Sequence, residues 1–364
     1  MTRAAWIGLA TLLLAWLGLS LWHFDVAFLF HGDHERDLRY ATLLVQHGVW
    51  PESSPSISPT PYELGPLLYF ILAPAVAISP DPFVVRVWYL LLACAGLTLL
   101  MVTMTRRVRW QAALIAVFAL TASTFVYELS RQLWHSSLLV LPTAGILWGL
   151  ERGDRRGALT AAACAAVAVQ LHMAMVGFVF VLLVWAAFRK KPRELAMGVG
   201  VFLIALTPFL VTLVRTLRSG ATSRASNPSE WAPAGAGAVL DFFVENVHTI
   251  WGDNLGPLLT WPIALAMVAG AVMAWRAGGL FGRTIVGLVV VGFVVESLLL
   301  GNQTAHRYMH ANVIPAFLLV AWTAEAALAR WPRLAYAAAA LALAVTVEAA
   351  VSKVPHAVGG GWLS

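Results

Sequence analysis

Long apolar runs separated by short clusters of Arg and Lys recur along the whole chain. At a rise of about 1.5 Å per residue, roughly 20 apolar residues cross a hydrocarbon layer of about 30 Å. The first run, residues 4–22, follows Arg3 and ends in Trp22-His23-Phe24 rather than at a small-residue cleavage site, so it reads as a retained signal anchor. Basic clusters then stand at Arg106, Arg107 and Arg109; at Arg152, Arg155 and Arg156; at Arg189, Lys190, Lys191 and Arg193; at Arg276 and Arg283; and at Arg330 and Arg333. The positive-inside rule puts all of them, with the N-terminus, in the cytoplasm. Joining them predicts spans at 83–105, 110–126, 133–150, 157–171, 173–188, 195–214, 256–275, 283–300, 311–329 and 334–351, eleven with the first. The run 158–188 carries basic clusters at both ends and must cross an even number of times, so it divides near His172. The segment 66–79 has 14 residues, too few to cross, and reads as a re-entrant or interfacial helix on the outer side. The predicted fold class is an all-α polytopic membrane protein of about eleven transmembrane helices, with outer-face juxtamembrane helices in its first loop.

Composition agrees with this layout. Of 364 residues, 60% are hydrophobic and 12% charged, which excludes a cytosolic enzyme. The net charge of +6 belongs to the inter-span loops and reports topology, so nucleic acid is not an expected partner. Cys94 and Cys164 lie inside apolar runs and read as small core residues, not as a disulfide or a metal site. The 16 tryptophans gather near span ends, where indoles anchor to the interface.

Acidic residues concentrate in the two long outer segments, 23–82 and 215–255. In the first, residues 31–40 carry seven ionisable side chains besides Tyr40. The stretch predicts a helix with Asp33 as N-cap and Asp33, Asp37 and Tyr40 on one face by i, i+4, i+7 spacing, Arg36 beside them. One reading is a solvated loop with a capping aspartate; the other is an acid/base site in which a carboxylate takes a proton from an attacking hydroxyl and Arg36 keeps it ionised. Asp33 and Glu35 form an Asp-x-Glu whose oxygens suit a divalent Mg or Mn ion, yet neighbouring helix positions diverge and no paired-His spacing accompanies them. No cofactor is required by any motif. Phosphate-cradling Gly-x-x-x-x-Gly-Lys, Gly-x-Ser-x-Gly and His-Glu-x-x-His are absent from the sequence.

The first loop resembles that of the GT-C membrane glycosyltransferases, the group that includes protein O-mannosyltransferases and the ArnT-like transferases. In the ArnT-like pattern an Asp is followed by Arg three residues later and by Gly-x-Trp fifteen later, and Asp33, Arg36 and Gly48-Val49-Trp50-Pro51 meet that spacing. Tyr62-Glu63 before Pro66-Leu67-Leu68-Tyr69-Phe70, Arg86 at the outer end of the second span, and His306-Arg307-Tyr308 before Pro315 continue the likeness. Two positions depart from it. The family's acidic pair is adjacent whereas Glu35 stands one residue further, and anchoring on Arg39-Tyr40-Ala41 aligns Asp37 instead; Gly65 replaces a Lys expected to meet phosphate.

The resemblance implies a single integral membrane domain over 1–364, with a seven-span module at 1–214, an outer loop at 215–255 and a four-span module at 256–364. It implies an inverting glycosyltransferase that moves a sugar from a polyprenyl-phosphate donor to a glycan, lipid or protein hydroxyl on the periplasmic face of a bacterial inner membrane. Asp33 would be the catalytic base, with Asp37 as the alternative, and Glu35 would orient it or bind a metal if one is used. Arg36, Tyr40, Tyr62, Glu63, Arg86, Arg131, His135, His172, His306, Arg307 and Tyr308 would bind substrate. Arg suits the leaving phosphodiester because its planar fork matches phosphate oxygens. The competing reading is a transporter or flippase for a lipid-linked saccharide. Transporters place charge at the bilayer midplane and show inverted repeats, whereas here the charge lies in loops and no repeat is visible.

Overall fold

The computed structural model describes residues 1–22, 32–51, 64–123, 133–189, 191–219, 256–300 and 310–337. Their regular structure is entirely helical. In chain order the helices are α1 (Arg3–Leu21), α2 (Gly32–His47), α3 (Leu67–Ile78), α4 (Pro82–Met104), α5 (Trp110–Ala122), α6 (Val140–Arg152), α7 (Arg155–Leu171), α8 (Val176–Phe188), α9 (Pro192–Ser219), α10 (Gly256–Ala277), α11 (Gly279–Leu300) and α12 (His310–Arg330). A 3₁₀ turn, His135–Leu139, leads into α6. Helical residues resume at 332–337, where the last predicted span begins; the rest of that span lies outside the described residues.

Local chemistry sets these boundaries. The Thr2 hydroxyl accepts from the Ala5 amide at 3.2 Å to start α1. Asp81 caps α4 by accepting from the Phe83 amide at 2.7 Å, with Pro82 in the first helical position, where its missing N–H costs nothing. Between α6 and α7 the chain reverses over two residues: Gly153 takes the left-handed conformation at φ 61°, and Asp154 accepts from the Gly157 amide at 2.7 Å. The two helices then touch backbone to backbone, since a Cβ at Gly149 would run into the Gly157 carbonyl and a Cβ at Gly157 into that of Gly149. Close approach through small residues is how helices associate where lipid removes the hydrophobic drive. The predicted division of 158–188 is present, with α7 ending at His172 in extended backbone (φ −157°, ψ 122°).

Among the described residues four helices are long and apolar enough to cross a membrane, over Arg3–Leu21, Pro82–Met104, Pro192–Arg215 and Val313–Arg330; the shorter apolar ones include Trp110–Ala122 and Val176–Phe188. Their outward surfaces are hydrocarbon: Leu14 is 69% exposed and Ile204 76%. Large apolar side chains facing outward over whole helices suit lipid, not water. The chain is a multi-pass membrane protein.

The basic turns gather at one end. Arg106 and Arg107 both reach Glu151, at 2.8 and 3.3 Å, joining the α4–α5 turn to the end of α6. Arg107 also lies over the Phe281 ring in α11, 5.4 Å from its centroid. The Glu325 carboxylate accepts from Arg109 Nε at 2.8 Å and from its amide at 2.7 Å, binding α12 to the start of α5. Arg189, after α8, donates to the Gly153 carbonyl. Glu325, which sequence alone leaves inside a span, is thus an interfacial partner for Arg109. Cys94 and Cys164 are free thiols.

Candidate functional site

At the opposite end, α2 lies against α3. The buried positions of α2 are His34, Asp37 and Ala41, an i, i+3, i+7 stripe, while Glu35 and Arg39 face outward. Two sequence expectations change here. The helix begins at Gly32, so Asp33 sits in the first turn instead of serving as N-cap. The buried stripe includes His34, and Tyr40 is only half-buried at its edge. Of Asp33 the structure describes the backbone; its side chain lies outside the described residues.

The Asp37 side chain is 5% exposed and that of Arg36 33%. Arg36 places two donors on one oxygen of Asp37, Nε at 3.0 Å and Nη2 at 2.9 Å from Oδ1. A carboxylate buried this deeply needs such a charge beside it. Around the pair stand phenols. The Tyr40 ring lies 5.4 Å from that of Tyr69, which is fully buried in α3. Burial first, then the Asp37 charge, raises the Tyr69 hydroxyl above its ordinary pKa against the opposing pull of Arg36, so it keeps its proton. Tyr89 of α4 donates to the Leu133 carbonyl at a long 3.4 Å and feels the same Asp37 charge.

Two imidazoles complete this end. His135, in the 3₁₀ turn, and His172, at the end of α7, stack with centroids 5.9 Å apart and planes at 25°. His135 falls in the stretch 133–150 that the sequence predicts as a span, but the α-helix there begins only at Val140, and His172 follows the end of α7, so both sit in turns outside the α-helices. Burial, then the positive charge of Arg36, lowers His135 to about 4. Burial, then His135, lowers His172 to about 3. Each is therefore neutral at pH 7, with one ring nitrogen to donate and one to accept. His34 faces Trp134 at 6.5 Å and links α2 to the same turn.

Arg86 does not snorkel to the surface. It is 1% exposed, and its Nη2 donates to the Ser20 carbonyl at 2.7 Å. Ser20 lies in the last turn of α1, whose carbonyls lack helical partners and form the negative end of the helix dipole. Trp88, beside it, donates to the Ile71 carbonyl at 2.8 Å and ties α4 to α3.

Gly65 stands where the ArnT-like pattern has Lys, and packing explains the change. A Cβ there would meet Gln170 Oε1 and the Phe209 amide nitrogen, each at 2.9 Å. Gln170 is held by donating to the Ala205 carbonyl at 2.9 Å, so α7 and α9 close the space that a lysine would need.

Asp37, Arg36, Tyr40, His135 and His172 are therefore neighbours at one end, and Arg86 lies at the α1–α4 junction. Glu35 points away from this group. Tyr62, Glu63, Arg131, His306, Arg307 and Tyr308 fall outside the described residues. Sequence reading missed Tyr69, Tyr89 and Gln170 as members. Tyr69 carried a signal, an aromatic one turn into a Pro-led helix beside the acidic loop; Gln170 carried none beyond being an amide in an alanine-rich span.

No family model matches the chain, and neither does any curated protein. Solved structures do. ArnT of Cupriavidus metallidurans, bound to undecaprenyl phosphate, superposes at a TM-score of 0.69 and 14% identity, covering 100% of this chain and 67% of ArnT. This chain has a GT-C-like fold. Structures of the oligosaccharyltransferase AglB of Archaeoglobus fulgidus share it, among them two. One, with Zn and sulfate, has a TM-score of 0.59 at 13% identity; the other, with an inhibitory peptide and dolichol-phosphate, 0.58 at 12%. The GT-C-like chain is matched over 97% and 99% of its length but spans just over half of AglB, 53% and 56%.

Proposed function

We propose that the chain is an inverting glycosyltransferase that takes a sugar from a polyprenyl-phosphate donor to a hydroxyl of a glycan, lipid or protein. The observation that carries this reading is the buried Arg36–Asp37 pair at the end of the GT-C-like bundle opposite the basic turns. By the positive-inside rule the basic turns are cytoplasmic, which assigns the acidic end to the periplasmic face of a bacterial inner membrane. The ligands of the solved neighbours, undecaprenyl phosphate and dolichol-phosphate, support a lipid-linked donor.

In this reading a carboxylate of α2 removes the acceptor's hydroxyl proton as that oxygen bonds to the anomeric carbon. The carbon–oxygen bond to phosphate breaks at the same time, and the polyprenyl phosphate leaves with the bonding pair. We assign the base to Asp33, one helical turn before Asp37 on the same face, with Asp37 as the alternative. Arg36 orients Asp37. Tyr40, Tyr62, Glu63 and the neutral His135 and His172 offer hydrogen bonds to the sugar hydroxyls. Arg86, Arg131, His306, Arg307 and Tyr308 are assigned to the phosphate, and the Ser20 carbonyl holds the Arg86 fork in one orientation.

A divalent Mg or Mn ion would draw on Asp33 and Glu35, and the Asp33 side chain lies outside the described residues. Asp37 is engaged by a guanidinium, Glu35 faces outward, and no three His, Cys, Asp or Glu converge among the described residues. No step is routed through one.

Lipid extracts of a strain lacking the protein test the reading. A polyprenyl-phosphate sugar should accumulate while an acceptor loses sugar. If the lipid-linked saccharide instead collects on the cytoplasmic leaflet, the flippase reading replaces this one.

A further inference from the structure

Near the basic end, α7, α8 and α9 enclose a cavity of about 330 Å³ that the transfer reading does not use. One wall is an alanine stripe, Ala158, Ala161, Ala162 and Ala165, facing Gly198 of α9. Residues at i, i+3, i+4 and i+7 share one helix face, and here all four are too small to fill the space before them. A void among apolar side chains costs stability unless something occupies it. The opening is apolar as well: Leu183 is 45% exposed and Leu203 49%, so the groove communicates with the hydrocarbon around the protein. Its α9 wall, residues 194–203, rises about 14 Å, close to the depth of one leaflet's hydrocarbon.

The mouth is cationic. Arg189 and Lys191 line it, and Arg193 is exposed beside them. Lys191 is paired with Glu194 at 2.9 Å. The described partners of Arg189 are the Gly153 carbonyl and the Trp185 ring, 5.3 Å away, neither of which carries a charge. Trp185 lines the groove below this mouth and is 6% exposed, yet its indole Nε1–H finds no acceptor among the described residues. A buried indole N–H ordinarily has one.

An apolar slot of leaflet depth, a buried donor near its top and, at its mouth, Arg189 without a charged partner among the described residues beside the Glu194-paired Lys191 match one chemistry in order of depth: acyl chain, ester carbonyl, phosphate. We propose that this groove holds an anionic phospholipid of the bilayer, with one acyl chain along the alanine stripe, an ester carbonyl on the Trp185 indole and the headgroup phosphate on Arg189 and Lys191. Basic pockets between spans at a membrane surface bind anionic headgroups by this combination.

The full-length protein, purified and stripped of lipid, is titrated with phosphatidylglycerol or phosphatidylcholine. Retained lipid is read by native mass spectrometry and stabilisation by thermal unfolding. Phosphatidylglycerol should bind and raise the unfolding temperature, with phosphatidylcholine weaker by about fivefold or more. Ala162→Trp fills the slot and should abolish retention. Trp185→Phe keeps the ring and removes only the N–H, and should weaken phosphatidylglycerol by about fivefold; it serves where Ala162→Trp does not fold. Equal affinity for the two lipids, unchanged retention in Trp185→Phe, or recovery of a polyprenyl phosphate as the bound species would overturn the proposal. Asp33→Asn, which the transfer reading makes inactive, should bind phosphatidylglycerol as wild type does, so the two readings stand or fall separately.

Discussion

Arg36 places both Nε and Nη2 on a single oxygen of Asp37, at 3.0 and 2.9 Å, so the guanidinium grips one oxygen of a side chain that is 5% exposed. An adjacent pair on a helix meets only because Arg36 curls back over the turn, which fixes Asp37 in one orientation. Arg36→Gln leaves a buried carboxylate without its cation. Because Arg36 is one-third exposed, solvent recovers part of the loss, and about 1–3 kcal/mol of stability should go. Arg36→Lys keeps the charge without the fork and should retain more stability than Arg36→Gln while losing turnover. Thermal unfolding and turnover of the two purified variants check this; identical behaviour would mean that only charge matters.

The stacked imidazoles make an acid-dependent prediction. His135 and His172 are lowered to about 4 and about 3, whereas an unfolded histidine titrates near 6.5. Between these values the unfolded chain binds protons that the folded chain refuses, so the stability of the neutral pair is complete above about pH 6.5 and falls as pH drops towards 4. Unfolding temperature should decline across that window, and His135→Asn should flatten the decline. An unchanged slope in His135→Asn would show that the burden lies on other groups.

Gly65 tests whether the missing lysine can be restored. Any Cβ there meets Gln170 and the Phe209 backbone at 2.9 Å, and backbone does not yield cheaply. Gly65→Ala should lower stability by about 1–3 kcal/mol, and Gly65→Lys by at least as much without gaining donor affinity. Tighter donor binding in Gly65→Lys would show that α9 gives way.

Arg86 has two tasks in this account, holding the end of α1 through Ser20 and meeting the donor phosphate. Arg86→Ala should lose both. Arg86→Lys keeps the charge but not the bidentate geometry, and should weaken donor binding less than Arg86→Ala does. A folded Arg86→Ala that binds donor as wild type would reduce Arg86 to a structural tie.

Much of the bundle was legible because a single period governs it. Apolar length and the alternation of basic clusters predict 83–105 where the helix is Pro82–Met104, and the reversal at His172 follows from charge at both ends of one run. Short-range signals were weaker. Asp33 looked like a cap because aspartate favours that position, but the helix starts one residue earlier, and the stripe buried against α3 turns to include His34. Tyr69, Gln170 and the stacking of His135 on His172 depend on which helices cross, and separations of 29 residues or more carry no periodic trace.

The assignment of the base can be decided by paired substitution. Inverting transfer needs one ionised carboxylate in reach of the acceptor hydroxyl while cations hold the departing phosphate on the far side of the sugar. Asp37 is gripped by Arg36, which fixes its direction, a feature better suited to orienting than to accepting a proton. Asp33 lies in the first turn of α2, where the helix dipole favours a carboxylate. Asp33→Asn is nearly isosteric and keeps a polar group at the helix start, so the protein should fold and bind donor while turnover falls by about 10²-fold or more. Asp37→Asn should lose less turnover but more stability, since it strips the partner from Arg36. If Asp37→Asn is the inactive variant and Asp33→Asn turns over normally, the base is Asp37; if both remain active, α2 does not carry the chemistry.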